Sequence, residues 1–422
     1  MVDQVIRIVQ NDAAIRRVRR MQPAGGSGDK IAPPTYLGER RGEGARHAFE
    51  HRREGEVQVL SVLLDSVASQ ANRLEEALSE ALDGAGLHVP QLVVSFRGKD
   101  ASLAFEGDGK SQKIVFGKGV AYDLSDIGTV SSLQAPHRVF DAIFRDSELE
   151  ENGTAVPFRE SQLFAQLKTT KPQNATMLFG LSPTALLFGS WNSTGSGGGL
   201  GAKFARSITS EIVGFGVAGR DDKGSVKPDG VRVGSRLDPL GIRKDAEVVG
   251  GAADWQVATA NEKTRTKPSD INHSNIPPTI SDGGVSVDYA KHTIVVSCAG
   301  LRRLRFPETS DESAGRVVLA ALAIVAVLAQ DRTGYALRSR CDLVPEGSAA
   351  FEVVHPDGSV SPLEIDLAGA LTLYTQAVEA ARAAGFPWRE APTTLQPQKK
   401  LVQLVALSRA RGLAGEGEAE DS

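Results

Sequence analysis

Aromatic side chains are scarce in this 422-residue chain, where Phe, Tyr and Trp together make up 5%. An open stacking platform for single-stranded nucleic acid needs successive aromatic faces, so that mode of binding is disfavoured and any grip on such a polymer would rest on backbone and shape. Cysteine is scarcer still. Cys298 and Cys341 sit in apolar or strand-like surroundings with no C-x-x-C spacing, which supports neither a disulfide framework nor a cysteine zinc site and fits a reducing cytoplasm. Long apolar runs are missing too: the longest, Val317 to Ala329, has thirteen residues, fewer than the roughly twenty a membrane span needs, and reads as a buried helix. MVDQVIRIVQ has no cationic start leading into an apolar run, so it is not a signal peptide. These features lead us to expect a cytoplasmic protein with no membrane partner.

What is present is ordinary for a soluble globular chain: 41% hydrophobic and 24% charged residues, with 44 Gly and 20 Pro that imply many loops. The net charge of −4 is unevenly spread. Residues 1–53 hold eleven Lys/Arg against six Asp/Glu, and Lys291 to Arg305 hold four against none, whereas the tail carries Glu416, Glu418, Glu420 and Asp421. A basic groove for an anionic polymer on a neutral body is compatible with that asymmetry.

Residues 1–55 are basic, interrupted by Gly and Pro and weakly periodic, and are expected to form an arm that orders on a partner. The body spans 56–410 and an acidic tail 411–422. In the opening segment Leu60, Leu64, Val67, Ala71, Leu74, Leu78 and Leu82 recur at steps of three and four, which predicts one helix from about Val57 to Leu82. Its other face carries Ser66, Ser69, Gln70, Asn72 and Arg73, short polar groups suited to a hydrogen-bonding partner. Strands are expected at Gln91–Phe96, Lys113–Phe116, Thr184–Trp191 and His292–Cys298, and helices near Pro136–Arg145, Phe158–Leu167, Ser313–Ala329, Leu367–Ala384 and Lys399–Arg411. This order lacks regular β-α-β alternation and predicts an α+β fold. Residues 216–284, rich in Gly, Pro and charge, read as an inserted subdomain.

The segment NSTGSGGGLGAKFARSITSEIVG, Asn192 to Gly214, is the richest in chemistry. It predicts a glycine loop followed by a helix from about Ala202, with Lys203, Arg206, Ser207 and Ser210 on one face. Loop amides and a helix N-terminus together form an anion site. The spacing fails the P-loop pattern, and the loose dinucleotide pattern lacks its β-α-β context, so no nucleotide cofactor is expected. HAFEH, His47 to His51, fits H-x-x-E-H, in which two His bind zinc and Glu50 serves as base, but it lies among arginines that repel a cation. LRRLRF, Leu301 to Phe306, offers Arg302, Arg303 and Arg305 for bidentate phosphate contacts. KPSDINHSNIPP, Lys267 to Pro278, offers Asn272, His273, Ser274 and Asn275 to bases or sugars.

Five stretches together, LLDSVASQANRLEEAL, APHRVFDAIFRDS, SPTALLFGSWNSTGSGGGLGAKFARSITSEIVG, KPSDINHSNIPP and CAGLRRLRFPE, resemble in the same order the blocks of the backbone subunit of type I-G (formerly I-U) CRISPR interference complexes, a member of the RAMP superfamily. The resemblance covers about Thr35 to Pro307 well and the C-terminal third more loosely. It implies a ferredoxin-like (RRM-related) palm with large insertions, including a thumb-like subdomain at 216–284. It implies partners as well: a guide RNA (crRNA), target DNA reached through that guide, further copies of the chain and the other subunits of the complex. On this reading the protein is not an enzyme and needs no cofactor or metal, and Asn72, Arg73, Lys203, Arg206, His273, Asn275, Arg302, Arg303 and Arg305 contact RNA. The alternative is a metal-dependent or His-assisted ribonuclease of the same superfamily.

Overall fold

The computed structural model describes residues 1–37, 46–107, 113–191, 204–218, 231–243, 245–251, 255–259, 264–271, 273 and 275–413. They fall into two compact units, one made of 1–95, 129–218 and 285–398, the other of 96–128, 219–284 and 399–422.

The first unit is built on a nine-stranded sheet. Its elements, in chain order, are α1 (Val2–Asn11), β1 (Ala14–Pro23), β2 (Phe49–Glu54), β3 (Val57–Asp65), α2 (Val67–Gly84), β4 (Ile208–Phe215), β5 (Tyr289–Ser297), α3 (Cys298–Arg302), α4 (Glu312–Thr333), β6 (Tyr335–Arg338), β7 (Cys341–Pro345), β8 (Phe351–Val354), β9 (Val360–Leu363) and α5 (Leu367–Ala383). The strands run β6-β7-β1-β5-β4-β3-β2, with β8 paired to β1 and to β9. Within that order the four strands β7-β1-β5-β4, all antiparallel and linked by α2 and α4, form the 4-1-3-2 arrangement of a ferredoxin-like, RRM-related palm. The fold is α+β, and the β2–β3 hairpin widens the palm beyond β4. Between α2 and β4 the first unit also carries Leu92–Ser95, Thr129–Ser131, Ser147–Glu151 and Thr154–Pro157, which form a smaller sheet with Thr393–Pro397 from after α5.

The core lies where α4 packs against α2 and α5. Val317 to Val327 are all buried, so α4 is a core helix, apolar around its whole circumference. Asp311 caps its N-terminus by accepting from the Ser313 N–H, and Gly334, at φ +88°, ends it. At Gly315 a Cβ would stand 2.3 Å from the Phe386 ring, so only glycine fits. Under the sheet lies a buried polar network. The Ser210 hydroxyl bonds the Gln70 carbonyl oxygen and His292 Nε2, each at 2.8 Å, and Gln70 donates to Asp65 at 2.7 Å. Burial and the nearby Arg17 and Arg19 push His292 down to about 3, so its ring is neutral.

Four expectations are corrected. Residues 1–23, read as part of an arm, form α1 and the central strand β1. Arg17 and Arg19 face inward on β1, where Asp331 pairs with both, and this disguised the two-residue period. The helix predicted from Val57 is a strand to Asp65 and a helix from Val67, because Ser66 accepts from the Ser69 N–H as an N-cap. Thr184–Trp191 begins as a helix, Pro183–Leu187, opened by a proline suited to the first helical position. The helix expected from Ala202 is strand β4, whose β-branched Ile208, Thr209, Ile212 and Val213 favour a sheet.

In the second unit a three-stranded sheet, Asp100–Glu106, Lys113–Phe116 and Val120–Asp123, packs on the helix Lys399–Leu413 through Leu103, Ala406 and Ala410. Arg409 pairs with Asp126 at 2.8 Å. Val231–Arg236 and Ile276–Asp282 form a separate antiparallel ribbon. The last nine residues of the acidic tail, 414–422, lie outside the described residues.

Candidate nucleic-acid interface

At the entrance to β4 the chain arrives from residues 192–203, which include Lys203 and lie outside the described residues. The flanking residues are well placed. Ser190 and Phe204 exchange backbone hydrogen bonds at 3.0 Å, closing the base of the glycine segment. Gly189, at φ +82°, is required there, since a Cβ would meet the Phe204 carbonyl at 2.9 Å. The Arg206 Cγ lies against the same glycine.

Beneath this point Arg138 and Glu75 form a buried bidentate pair, Nε to Oε1 at 2.7 Å and Nη2 to Oε2 at 2.5 Å, and Arg138 Nη1 also donates to the Gly189 carbonyl at 2.8 Å. Arg138 holds a left-handed backbone, φ 51°, a strained conformation for a non-glycine residue. Burial pushes the Glu75 carboxyl up to about 7 against the opposing pull of Arg138 and Arg206. Arg206 is shifted below the usual guanidinium value, first by desolvation of its stem and then by Arg138. The Arg206 side chain is exposed and makes no hydrogen bond or ion pair among the described residues.

The pair supports the floor of a cleft of about 540 Å³, lined among others by Asn72, His137, Phe188, Ser190, Trp191 and Arg206. Trp191 is 49% exposed, while Phe188 is fully buried. The nearby end of β5 adds a further cation. Ser297 N–H donates to the Ser207 carbonyl at 2.8 Å and Gly300 of α3 lies against the Ser207 hydroxyl, so the helix capped by Arg303 leaves β5 beside the residue that follows Arg206. Arg303 is exposed and, among the described residues, has no side-chain partner.

The structure thus brings Asn72, Arg206 and Arg303 to this end as available groups, and places the others differently. Arg73 donates to the buried Asp65 carboxylate at 3.0 Å and to the Leu337 carbonyl. Arg302 donates to the Val9 and Asp12 carbonyls at 2.7 and 2.8 Å, tying down the C-terminus of α1. Arg305 pairs with Glu312 at 2.8 Å. In the second unit Asn275 accepts from the Asp238 N–H at 2.7 Å, and His273 meets Trp255 edge-on with ring centroids 5.7 Å apart. Arg73 and Arg302 are engaged and half-buried within the chain, whereas Arg305 and Asn275 have intramolecular partners yet stay exposed. Of the polar face of the opening helix, Gln70 is buried, Ser66, Ser69 and Arg73 are half-buried, and Asn72 is exposed.

The H-x-x-E-H reading fails on geometry. His51 and Glu50 lie on β2 and His47 on a short strand, Arg46–His47, so the two histidines stand about 13 Å apart along extended chain rather than one helical turn apart. Nor is the Ser210–His292 contact a nucleophile: both residues are buried, and His292 Nδ1 has no orienting partner among the described residues.

Sequence reasoning passed over Ser190, Trp191 and His137. One of only three tryptophans, standing directly before a glycine run, was the available signal for Trp191. Ser190 and His137 offered none, because a long insertion separates Pro136–Arg138 from the loop they adjoin.

Residues 15–219 match the family described as CRISPR-associated protein GSU0053. The matched part of the chain is therefore similar to a CRISPR-associated family. It spans 205 of the 422 residues, a little under half, taking in β1 to β4, Asn72, the cleft and Arg206, and stopping short of Arg303. No curated protein matches the chain.

Proposed function

We propose that this protein is the non-enzymatic backbone subunit of a type I-G CRISPR interference complex, binding guide RNA and polymerising along its spacer so that the guide can pair with target DNA. The observation that carries the reading is the pair of exposed arginines at one end of a ferredoxin-like palm, Arg206 at the entrance to β4 and Arg303 after the helix that follows β5. Most other palm arginines are neutralised within the chain, as Arg16 by Glu352, Arg20 by Glu346 and Arg52 by Glu211. Guanidinium groups without a carboxylate partner suit phosphate oxygens, and a sequence-independent grip on the sugar-phosphate chain needs little aromatic surface. The family match and the order of the sequence blocks support the same reading.

The test is to purify the chain and extract its nucleic acid. One defined RNA species is expected, and it should be lost from the Arg206→Glu/Arg303→Glu variant while thermal unfolding stays unchanged. RNA retained in full by that variant would remove the reading. Cleavage of added RNA by the purified chain would favour the nuclease alternative instead.

A further inference from the structure

We propose that Ser361 is an activated nucleophile that takes an acyl group from an activated ester, with His355 as its base and Asp12 as the residue that positions the base. The proposal does not rest on the RNA-binding reading. His355 follows β8 and Ser361 lies on β9, one on each side of the turn at 356–359. The His355 N–H donates to the Ser359 carbonyl at 2.9 Å and the Gly358 N–H to the His355 carbonyl at 3.0 Å, with Gly358 at φ +85°, so the turn fixes the spacing of the two side chains. His355 Nε2 stands 3.0 Å from Ser361 Oγ, and His355 Nδ1 stands 2.7 Å from Asp12 Oδ1. Asp12 is itself held: its N–H donates to the Ile8 carbonyl at 2.9 Å, its carbonyl accepts from Arg302 at 2.8 Å, and the next residue, Ala13, donates to the Val354 carbonyl at 2.9 Å, which sets the end of α1 beside β8.

An ionised carboxylate can only accept, so Asp12 fixes the proton of a neutral imidazole on Nδ1 and leaves the Nε2 lone pair facing the Ser361 hydroxyl. A hydroxyl within reach of a base that a third group orients is the arrangement that activates serine, and it supplies the two things the buried Ser210–His292 contact lacks, an orienting partner and access. The His355 side chain is 34% exposed and Ser361 is half-buried, so a small electrophile can reach them. In the step, Ser361 Oγ bonds the ester carbonyl carbon and passes its proton to His355 Nε2. The bond from that carbon to the leaving oxygen then breaks, and the departing alcohol takes the proton from His355, so that ester and serine become acyl-serine and alcohol. Pro362, directly after the nucleophile, has no N–H to offer an oxyanion, and the Ser361 amide lies in the ladder opposite Val353. The lack of one such donor costs about 10²–10³ in rate, which limits the site to esters with good leaving groups and leaves the acyl group in place rather than turning it over.

The test treats the full chain with p-nitrophenyl acetate and locates the acetyl group by peptide mapping. The peptide carrying Ser361 should be acetylated about a hundredfold faster than peptides carrying other exposed serines, the order of advantage that a positioned base supplies. An alkyl fluorophosphonate, whose phosphorus bonds the serine oxygen as fluoride leaves, should mark the same residue. Ser361→Ala should abolish the label at that peptide with thermal unfolding unchanged. Asp12→Asn, which no longer holds the imidazole in the reactive tautomer, should slow labelling of Ser361 by about tenfold or more, a readout that a bond serving only to brace the hairpin would not move. An unlabelled Ser361, or a labelling rate that Asp12→Asn leaves unchanged, overturns the proposal. Both variants should carry RNA as the wild type does, so this proposal and the RNA-binding reading fail on different measurements.

Discussion

Removing Glu75 should unfold the cleft from below, and its cost can be worked out from the pair it forms. The Arg138 side chain is 4% exposed and that of Glu75 is 1% exposed, and two short bonds join them. Glu75→Ala leaves a guanidinium buried with only the Gly189 carbonyl for a partner. Breaking one half of a buried ion pair costs about 3–5 kcal/mol, chiefly the desolvation of the charge left behind. The double variant Glu75→Leu/Arg138→Met removes both charges and should cost far less, about 1 kcal/mol, corresponding to the lost bond to Gly189. Urea unfolding of the wild type, both single variants and the double closes a thermodynamic cycle. A double variant as damaged as the sum of its singles, or a Glu75→Ala chain within about 1 kcal/mol of wild type, would refute the argument that the pair is buried and coupled.

Further expectations follow from single residues. Glu75 has a folded-state pKa raised from 4.5 to about 7, so the folded chain binds its proton more tightly than the unfolded chain, and its contribution to stability is fully present below about 4.5 and is lost as pH rises through 7. Relative to Glu75→Gln, the wild type should therefore lose stability as pH rises through that range, and a difference that grows in the other direction would show the carboxylate to be the favoured form. Gly315→Ala places a methyl against Phe386, which is itself packed at 4.7 Å from Phe179 and 4.9 Å from Phe306, and should cost about 1–3 kcal/mol by denaturant midpoint. Arg302→Ala should destabilise the fold by about 1–2 kcal/mol, because the Val9 and Asp12 carbonyls lose their donor, yet leave RNA retention intact; loss of RNA at unchanged stability would return Arg302 to the interface.

The parts of the fold that were legible in the sequence are those where burial is one-sided and local. The run Val317–Ala329 announced α4, and the alternation around His292 announced β5. Where charges turn inward the pattern misled: Arg17 and Arg19 made a central strand look like a basic arm, since nothing local reveals that Asp331 waits for them. The opening segment carried a helical period through nine residues that a neighbouring strand, β4, recruits into the sheet, so tertiary pairing overrode the pattern. Of the site, Asn72, Arg206 and Arg303 could be proposed from their surroundings. Arg73, Arg302 and Arg305 look the same in sequence, and only three-dimensional proximity to Asp65, the end of α1 and Glu312 distinguishes them.

The central claim is that Arg206 and Arg303 each neutralise a phosphate of a bound single-stranded RNA, and the salt dependence of binding tests it most directly. A plot of log K against log salt concentration should lose about 0.7 of slope for each phosphate contact removed, hence about 1.4 in the Arg206→Glu/Arg303→Glu variant, with affinity falling for RNAs of every sequence alike. An unchanged slope, whatever the change in affinity, would place the polyanion elsewhere on the molecule and contradict the account.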